Sequence, residues 1–151
     1  MIYLLTGILT ILMSISTANK PSLTYLVREP KGRLDKPPLL ILLHGVGSNE
    51  KDLFSFAPHL PDTFLVISAR APIVLGPSSF AWYQVDFSSG KPVYNQVQER
   101  KSRETILTFI EELKEHHSFD KNEVYMVGFS QGAIMSYSVA LTHPEKIKGI
   151  G

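Results

Sequence analysis

The sequence predicts an α/β fold, a doubly wound and mostly parallel sheet. Three observations predict it. Residues 39–43 (LLILL) hold no polar side chain and lie between Pro37-Pro38 and a glycine-bearing turn. Such a run fits a strand buried on both faces, as in parallel sheets covered by helices. A second apolar run, 124–127 (VYMV), leads directly into Gly128-Phe129-Ser130-Gln131-Gly132 and then a helix-like stretch, 133–141. Between the two runs lies the clearest helix, 97–117, with Ile106, Phe109, Ile110 and Leu113 at helical spacing and charges on the opposite face. Strand, helix, strand, helix in that order is how parallel strands with crossover helices read in a sequence.

The remaining elements follow along the chain. Residues 1–18 (MIYLLTGILTILMSISTA) carry no charge. Their apolar part, 2–15, is short for a membrane span and suits the core of an export signal, with Ser16-Thr17-Ala18 as the cleavage site. The positive charge usual before such a core is missing, so a short buried strand, a mis-called start codon and, less strongly, an uncleaved anchor compete with this reading. The expected organisation is a signal peptide, 1–18, and one domain, 19–151. A signal peptide implies a periplasmic or extracellular location; without one the expectation is cytoplasmic. Residues 22–28 read as a strand, with Leu23, Tyr25 and Val27 alternating against Thr24, Leu26 and Arg28. Glu29-Pro30-Lys31-Gly32 is a turn signal. Residues 52–60 read as a short helix with Leu53, Phe56 and Ala57 on one face, and 64–68 as another apolar strand. The segment 71–96 is rich in Pro, Gly and Ser and reads as a long surface loop carrying Trp82 and Tyr83. Loops of that length tend to be functional. His143-Pro144-Glu145 ends the last helix, and 147–151 begin another strand.

The chemistry concentrates in two motifs. Gly128-Phe129-Ser130-Gln131-Gly132 sits at a strand-to-helix junction, the context in which G-x-S-x-G becomes a nucleophile turn. A sharp bend there lifts the Ser130 hydroxyl above the sheet, and glycine is needed at 128 and 132 because side chains would strike neighbouring backbone. The second motif, His44-Gly45-Val46-Gly47-Ser48, follows the 39–43 strand at its C-terminal end, where open α/β sheets place ligands. Acyl transfer needs two N–H donors aimed at a developing oxyanion. Gln131, the residue after the serine, supplies one, and Val46 the other. His44 is expected to shape its loop through hydrogen bonds.

Composition narrows the alternatives. Hydrophobic residues make up 44% and charged residues 19% of 151, enough for one domain with a sizeable core. A net charge of +1 favours neither nucleic acid nor an acidic surface. The absence of cysteine excludes disulfides and thiolate catalysis. No His/Asp/Glu cluster has metal-ligand spacing, so neither metal nor cofactor is expected. A membrane contact would arise only through an uncleaved N-terminal segment. Oligomeric state is not readable.

The segments HGVGSNEKDL, VGFSQGA and the AWYQVD loop between them resemble the phospholipase/carboxylesterase family, which includes the acyl-protein thioesterases and belongs to the α/β-hydrolase superfamily. The resemblance covers residues 39–151. It implies Ser130 as nucleophile, the N–H groups of Val46 and Gln131 as oxyanion hole, and Trp82-Tyr83 lining the acyl side of a pocket. The substrate class implied is a small carboxylic ester or thioester. Peptidases and dienelactone-type hydrolases are runners-up, and the lack of cysteine leans against the thiol-dependent dienelactone branch.

One departure matters. In this fold the triad runs Ser, Asp or Glu, then His along the chain. After Ser130 the only acid is Glu145 and the only histidine His143, too early and in the wrong order. A serine without a base is a poor nucleophile. The chain is therefore read as truncated at its C-terminus, with acid and base beyond Gly151, and as inactive and aggregation-prone alone. The reading from another class is a non-catalytic binding or scaffold protein on a degenerate hydrolase fold.

Overall fold

A computed structural model describes residues 20–32 and 34–151. The expected export signal, 1–18, lies outside the described residues. No helix among those described is long and apolar enough to cross a membrane.

The main sheet has five strands: β1 (Tyr25–Arg28), β2 (Leu39–Leu43), β3 (Leu65–Ala69), β8 (Val124–Gly128) and β9 (Gly149–Ile150), in the spatial order β1-β3-β2-β8-β9. β1 pairs antiparallel with β3 at one edge; β2 pairs parallel with both β3 and β8, and β8 parallel with β9. The all-apolar β2 is thus central, as its composition requires, and every one of its residues is buried. Its register aligns Leu43 with Gly128 and with Ala69. The loops that follow β2 and β8 therefore leave the sheet side by side.

Both faces of the sheet are covered. Leu39, Ile41, Leu43, Leu65, Ile67 and Met126 meet α2 (Gln96–His116) and α3 (Gln131–Thr142) in the larger core. Leu40, Leu42 and Val66 point the other way, against α1 (Lys51–Phe54) and the segment after it. Ile106, Phe109, Ile110 and Leu113 all lie on the buried stripe of α2, as their spacing predicts. Asn95 caps that helix, its side chain accepting from Gln98 N–H at 3.1 Å, which satisfies one of the donors a helix start leaves open. The Tyr25 ring packs edge-on against Phe109 at 5.4 Å, tying the edge strand to the core.

Three elements depart from the sequence reading. Residues 52–60 are not one helix: α1 stops at Phe54, and Ala57–His59 form a 3-10 turn. Pro58 cannot donate to an α-helical ladder, and it sits at the start of that tighter turn. The strand expected over 22–28 is paired only from Tyr25, and Val27 is exposed on the outer edge, whereas Leu23 is buried. The segment 71–96 is not a structureless surface loop. It forms two small hairpins, β4 (Ile73–Gly76) with β5 (Ser79–Ala81) and β6 (Val85–Asp86) with β7 (Val93–Tyr94). Between the hairpins Trp82 and Tyr83 turn inward and are buried.

Phe109 is fully buried between sheet and edge strand. Phe109→Ala is expected to cost about 3–5 kcal/mol through lost burial and the cavity left behind. Urea denaturation with an unchanged slope and a lower midpoint is the check.

Candidate active site

Ser130 stands between β8 and α3 with φ 52° and ψ −114°, a conformation non-glycine residues rarely adopt. Its side chain is exposed, as is that of Phe129. The strain is held in place by close backbone packing on both sides. A Cβ on Gly132 would come within 1.9 Å of the Leu43 carbonyl oxygen, and one on Gly128 within 2.3 Å of the Gly132 carbonyl carbon. Phe129 N–H donates to Leu43 C=O at 3.1 Å, and Gly132 N–H to Phe129 C=O at 2.9 Å. The end of β2 thus clamps the turn after β8.

The loop after β2 lies against that turn. A Cβ on Gly45 would approach the Ser130 Cβ at 3.5 Å and the Phe129 ring at 3.2 Å. Gly47 has φ +83°, the left-handed region that favours glycine. Its N–H donates to Phe80 C=O at 2.8 Å, and Phe80 N–H returns to Ser48 C=O at 2.9 Å, so β5 holds this loop like an added strand. Ser48 N–H goes to Gly45 C=O at 3.2 Å. With those donors committed, Val46, half exposed, carries the N–H at the apex. The N–H of Gln131 opens α3, in the turn where a helix leaves its donors without intrahelical acceptors.

His44 is fully buried beneath the loop. Its Nδ1–H donates to Gly45 C=O at 2.7 Å, and its Nε2 accepts from Ala71 N–H at 3.0 Å. Both bonds require the neutral Nδ1–H tautomer. Burial, the dominant influence, holds its pKa below the ordinary value. His44 is committed on both nitrogens and is not placed as a base.

Trp82 differs from expectation. It is fully buried and absent from the wall of the adjoining cleft; its indole N–H donates to His44 C=O at 2.9 Å. Its main-chain N–H donates to Gln131 Oε1 at 2.8 Å, and Gln131 Nε2–H donates to Tyr83 C=O at 2.7 Å. The Ser102 hydroxyl of α2 donates to Trp82 C=O. Tyr83 is among the residues of that cleft, an open space of about 640 Å³ between the two hairpins. Val46, Leu75, Phe87, Val93 and Tyr94 make much of its wall apolar, and Gln84, Asp86 and Asn95 line it too. Burial pushes the Tyr83 phenol pKa up. The cleft reaches the site through Val46; Ser130 is not part of its wall.

Another pairing escapes a sequence reading. Glu50, buried, meets Arg70 through two hydrogen bonds of 2.6 Å, and the guanidinium lies over the Phe80 ring at 4.6 Å. These bonds hold the Glu50 carboxyl below its usual range. The pair braces the β5 side of the Val46 loop. Its partners stand 20 residues apart, with no local pattern to join them. Among the described residues no group of three or more His, Asp or Glu side chains could hold a metal ion. None of His44, His117 or His143 hydrogen-bonds Ser130: His117 meets Tyr25 and Glu29, and His143 meets Thr142.

A mostly parallel, doubly covered sheet with a strained serine at the β8–α3 junction defines an α/β-hydrolase fold. The chain belongs to the phospholipase/carboxylesterase family, whose profile matches residues 27–151. The esterase YpfH of Escherichia coli (strain K12) is 30% identical over 120 residues, covering 74% of this chain and 48% of that protein. MhqD of Bacillus subtilis (strain 168) is 29% identical over 121 residues, covering 79% and 56%. The chain thus spans about half the length of these curated relatives. The crystal structure of the Bacillus cereus carboxylesterase matches with a TM-score of 0.72 at 24% identity, covering 85% of this chain and 58% of that one. An acyl-protein thioesterase from Zea mays matches with a TM-score of 0.60 at 23% identity, covering 78% and 50%.

Two outcomes are expected from this geometry. Gly132→Ala drives a methyl into Leu43 C=O and is expected to destabilise by about 3 kcal/mol or more, read as a lowered urea midpoint. His44 sets a pH dependence. Its folded pKa lies below the ordinary 6.5, so the unfolded chain takes up a proton that the native state refuses. Stability is therefore full above about pH 6.5 and falls as pH drops below it. The loss of urea midpoint between about pH 7.5 and about pH 5.5 is expected to shrink in His44→Asn, which cannot take up that proton.

Proposed function

We propose that the protein carrying this chain is a serine hydrolase of carboxylic esters or thioesters, acting through an acyl-enzyme on Ser130. One observation carries the reading. An exposed serine in a strained turn stands beside a glycine loop whose apex N–H, at Val46, and the first N–H of α3, at Gln131, belong to the same end of the sheet. Esterases among the relatives support it.

In this reading Ser130 Oγ attacks the substrate carbonyl carbon and gives its proton to a base. The tetrahedral oxyanion accepts from the N–H groups of Val46 and Gln131, fixed dipoles that need no reorganisation as charge develops. Collapse expels an alcohol or thiol, which leaves with the proton. Water then attacks the acyl-enzyme, releasing a carboxylic acid and restoring the serine. The apolar cleft beside Val46 receives a hydrocarbon part of the substrate.

One observation favours the second reading, a non-catalytic binding protein: no imidazole hydrogen-bonds Ser130 among His44, His117 and His143. Covalent labelling separates the two. A fluorophosphonate probe is expected to label Ser130, mapped by mass spectrometry, and Ser130→Ala to lower p-nitrophenyl ester hydrolysis by roughly 10³-fold or more. An unlabelled protein, or a label on another residue, supports the binding protein instead.

A further inference from the structure

We propose that the side chain of Gln131 is a positioning residue for the oxyanion site, holding the Val46 loop and the nucleophile turn in fixed relation through Trp82. This rests on the hydrolase reading above and deepens it. Gln131 is 3% exposed, and its amide meets only main chain: Oε1 takes Trp82 N–H and Nε2–H reaches Tyr83 C=O. A methionine would fill similar volume without a polar group to satisfy. The amide answers two buried main-chain groups, Trp82 N–H and Tyr83 C=O, which a methionine would leave without a partner.

The bonds close a ring. Trp82 indole N–H holds His44 C=O, His44 follows Leu43, and Leu43 C=O accepts from Phe129 N–H. From Phe129 the chain runs through Ser130 back to Gln131, whose side chain holds Trp82. The nucleophile lies on this ring. Val46 stands two residues beyond His44, and the other N–H donor belongs to Gln131 itself. Leu43–Phe129 joins the two turns at their base; Gln131–Trp82 joins them on the far side. Cutting the far link leaves the two turns joined to each other only at their base, through Phe129 N–H and Leu43 C=O. Ser102, donating to Trp82 C=O from α2, anchors the ring to the core. The same amide also fixes Tyr83, so the cleft wall and the donors share one support.

The test uses the intact protein and p-nitrophenyl esters. Gln131→Met removes both bonds and is expected to lower kcat by about 10-fold or more while moving KM by less than about 3-fold, as for misaligned oxyanion donors. Trp82→Phe cuts the same ring at the indole. Combined with Gln131→Met it is expected to add less than about 3-fold to the slower single variant, because one broken ring is not broken twice. Should Gln131→Met fail to fold, Gln131→Glu decides. Its carboxylate accepts from Trp82 N–H but cannot donate to Tyr83 C=O, and protonation restores a donor. Its rate relative to wild type is expected to be low near neutral pH and to rise as pH falls. Wild-type kcat retained within about 2-fold, multiplicative losses in the double variant, or a pH-independent Glu-to-wild-type ratio overturns the proposal. A wild-type protein that neither hydrolyses esters nor labels at Ser130 overturns the hydrolase reading itself.

Discussion

Helix α3 begins so close to the end of β2 that no side chain fits between them. A methyl at Gly132 would sit 1.9 Å from Leu43 C=O, well inside any tolerable contact. That approach forces the chain to leave β8 and enter α3 within two residues, and the strain falls on Ser130 at φ 52°. It also puts the turn within hydrogen-bonding reach of the neighbouring strand, through Phe129 N–H and Leu43 C=O. Because β2 and β8 are adjacent and in register, the loop after β2 must then lie beside the serine. Sheet order, helix approach and site geometry are thus one constraint expressed at three scales.

What surrounds the turn is a polar scaffold inside an apolar core. His44, Gln131 and Ser102 are all buried, and each has hydrogen-bond partners. Buried polar groups stabilise only when paired, so these bonds specify the loop conformation more than they add net stability. The Glu50–Arg70 pair works similarly on the outer side of the loop, against Phe80. The Val46 loop is therefore held from below by His44, from one side by β5 and from the other by Trp82. A loop held on three sides presents its apex N–H without needing substrate to order it, which is the condition for electrostatic stabilisation of a transition state.

Much of this was legible because the signal was local. Five consecutive apolar residues announce β2, a 3.6-residue stripe announces α2, and glycines two positions either side of Ser130 announce the tight turn. The family and its fold were legible from the same motifs. Segment 71–96 was not, because strands of two to four residues are too short for alternation to show. Trp82 entered as a pocket residue through the family resemblance, and the hairpins that bury it could not be read from a segment rich in Pro, Gly and Ser. Gln131 was chosen for its main chain, while its side-chain partners lie 48 and 49 residues away, beyond any spacing rule. Pro58 in an apparent helix was the one local warning that went against the helical pattern.

The proposed hydrolase chemistry requires Val46 and Gln131 to point their N–H groups at one place beside Ser130. A crystal structure of the protein phosphonylated on that serine tests it most directly. The phosphonyl oxygen is expected to accept from both N–H groups at about 2.7–3.1 Å, with the alkyl substituent in the cleft beside Val46 and Tyr83. An adduct whose oxygen points to solvent, or meets neither N–H, would contradict the account.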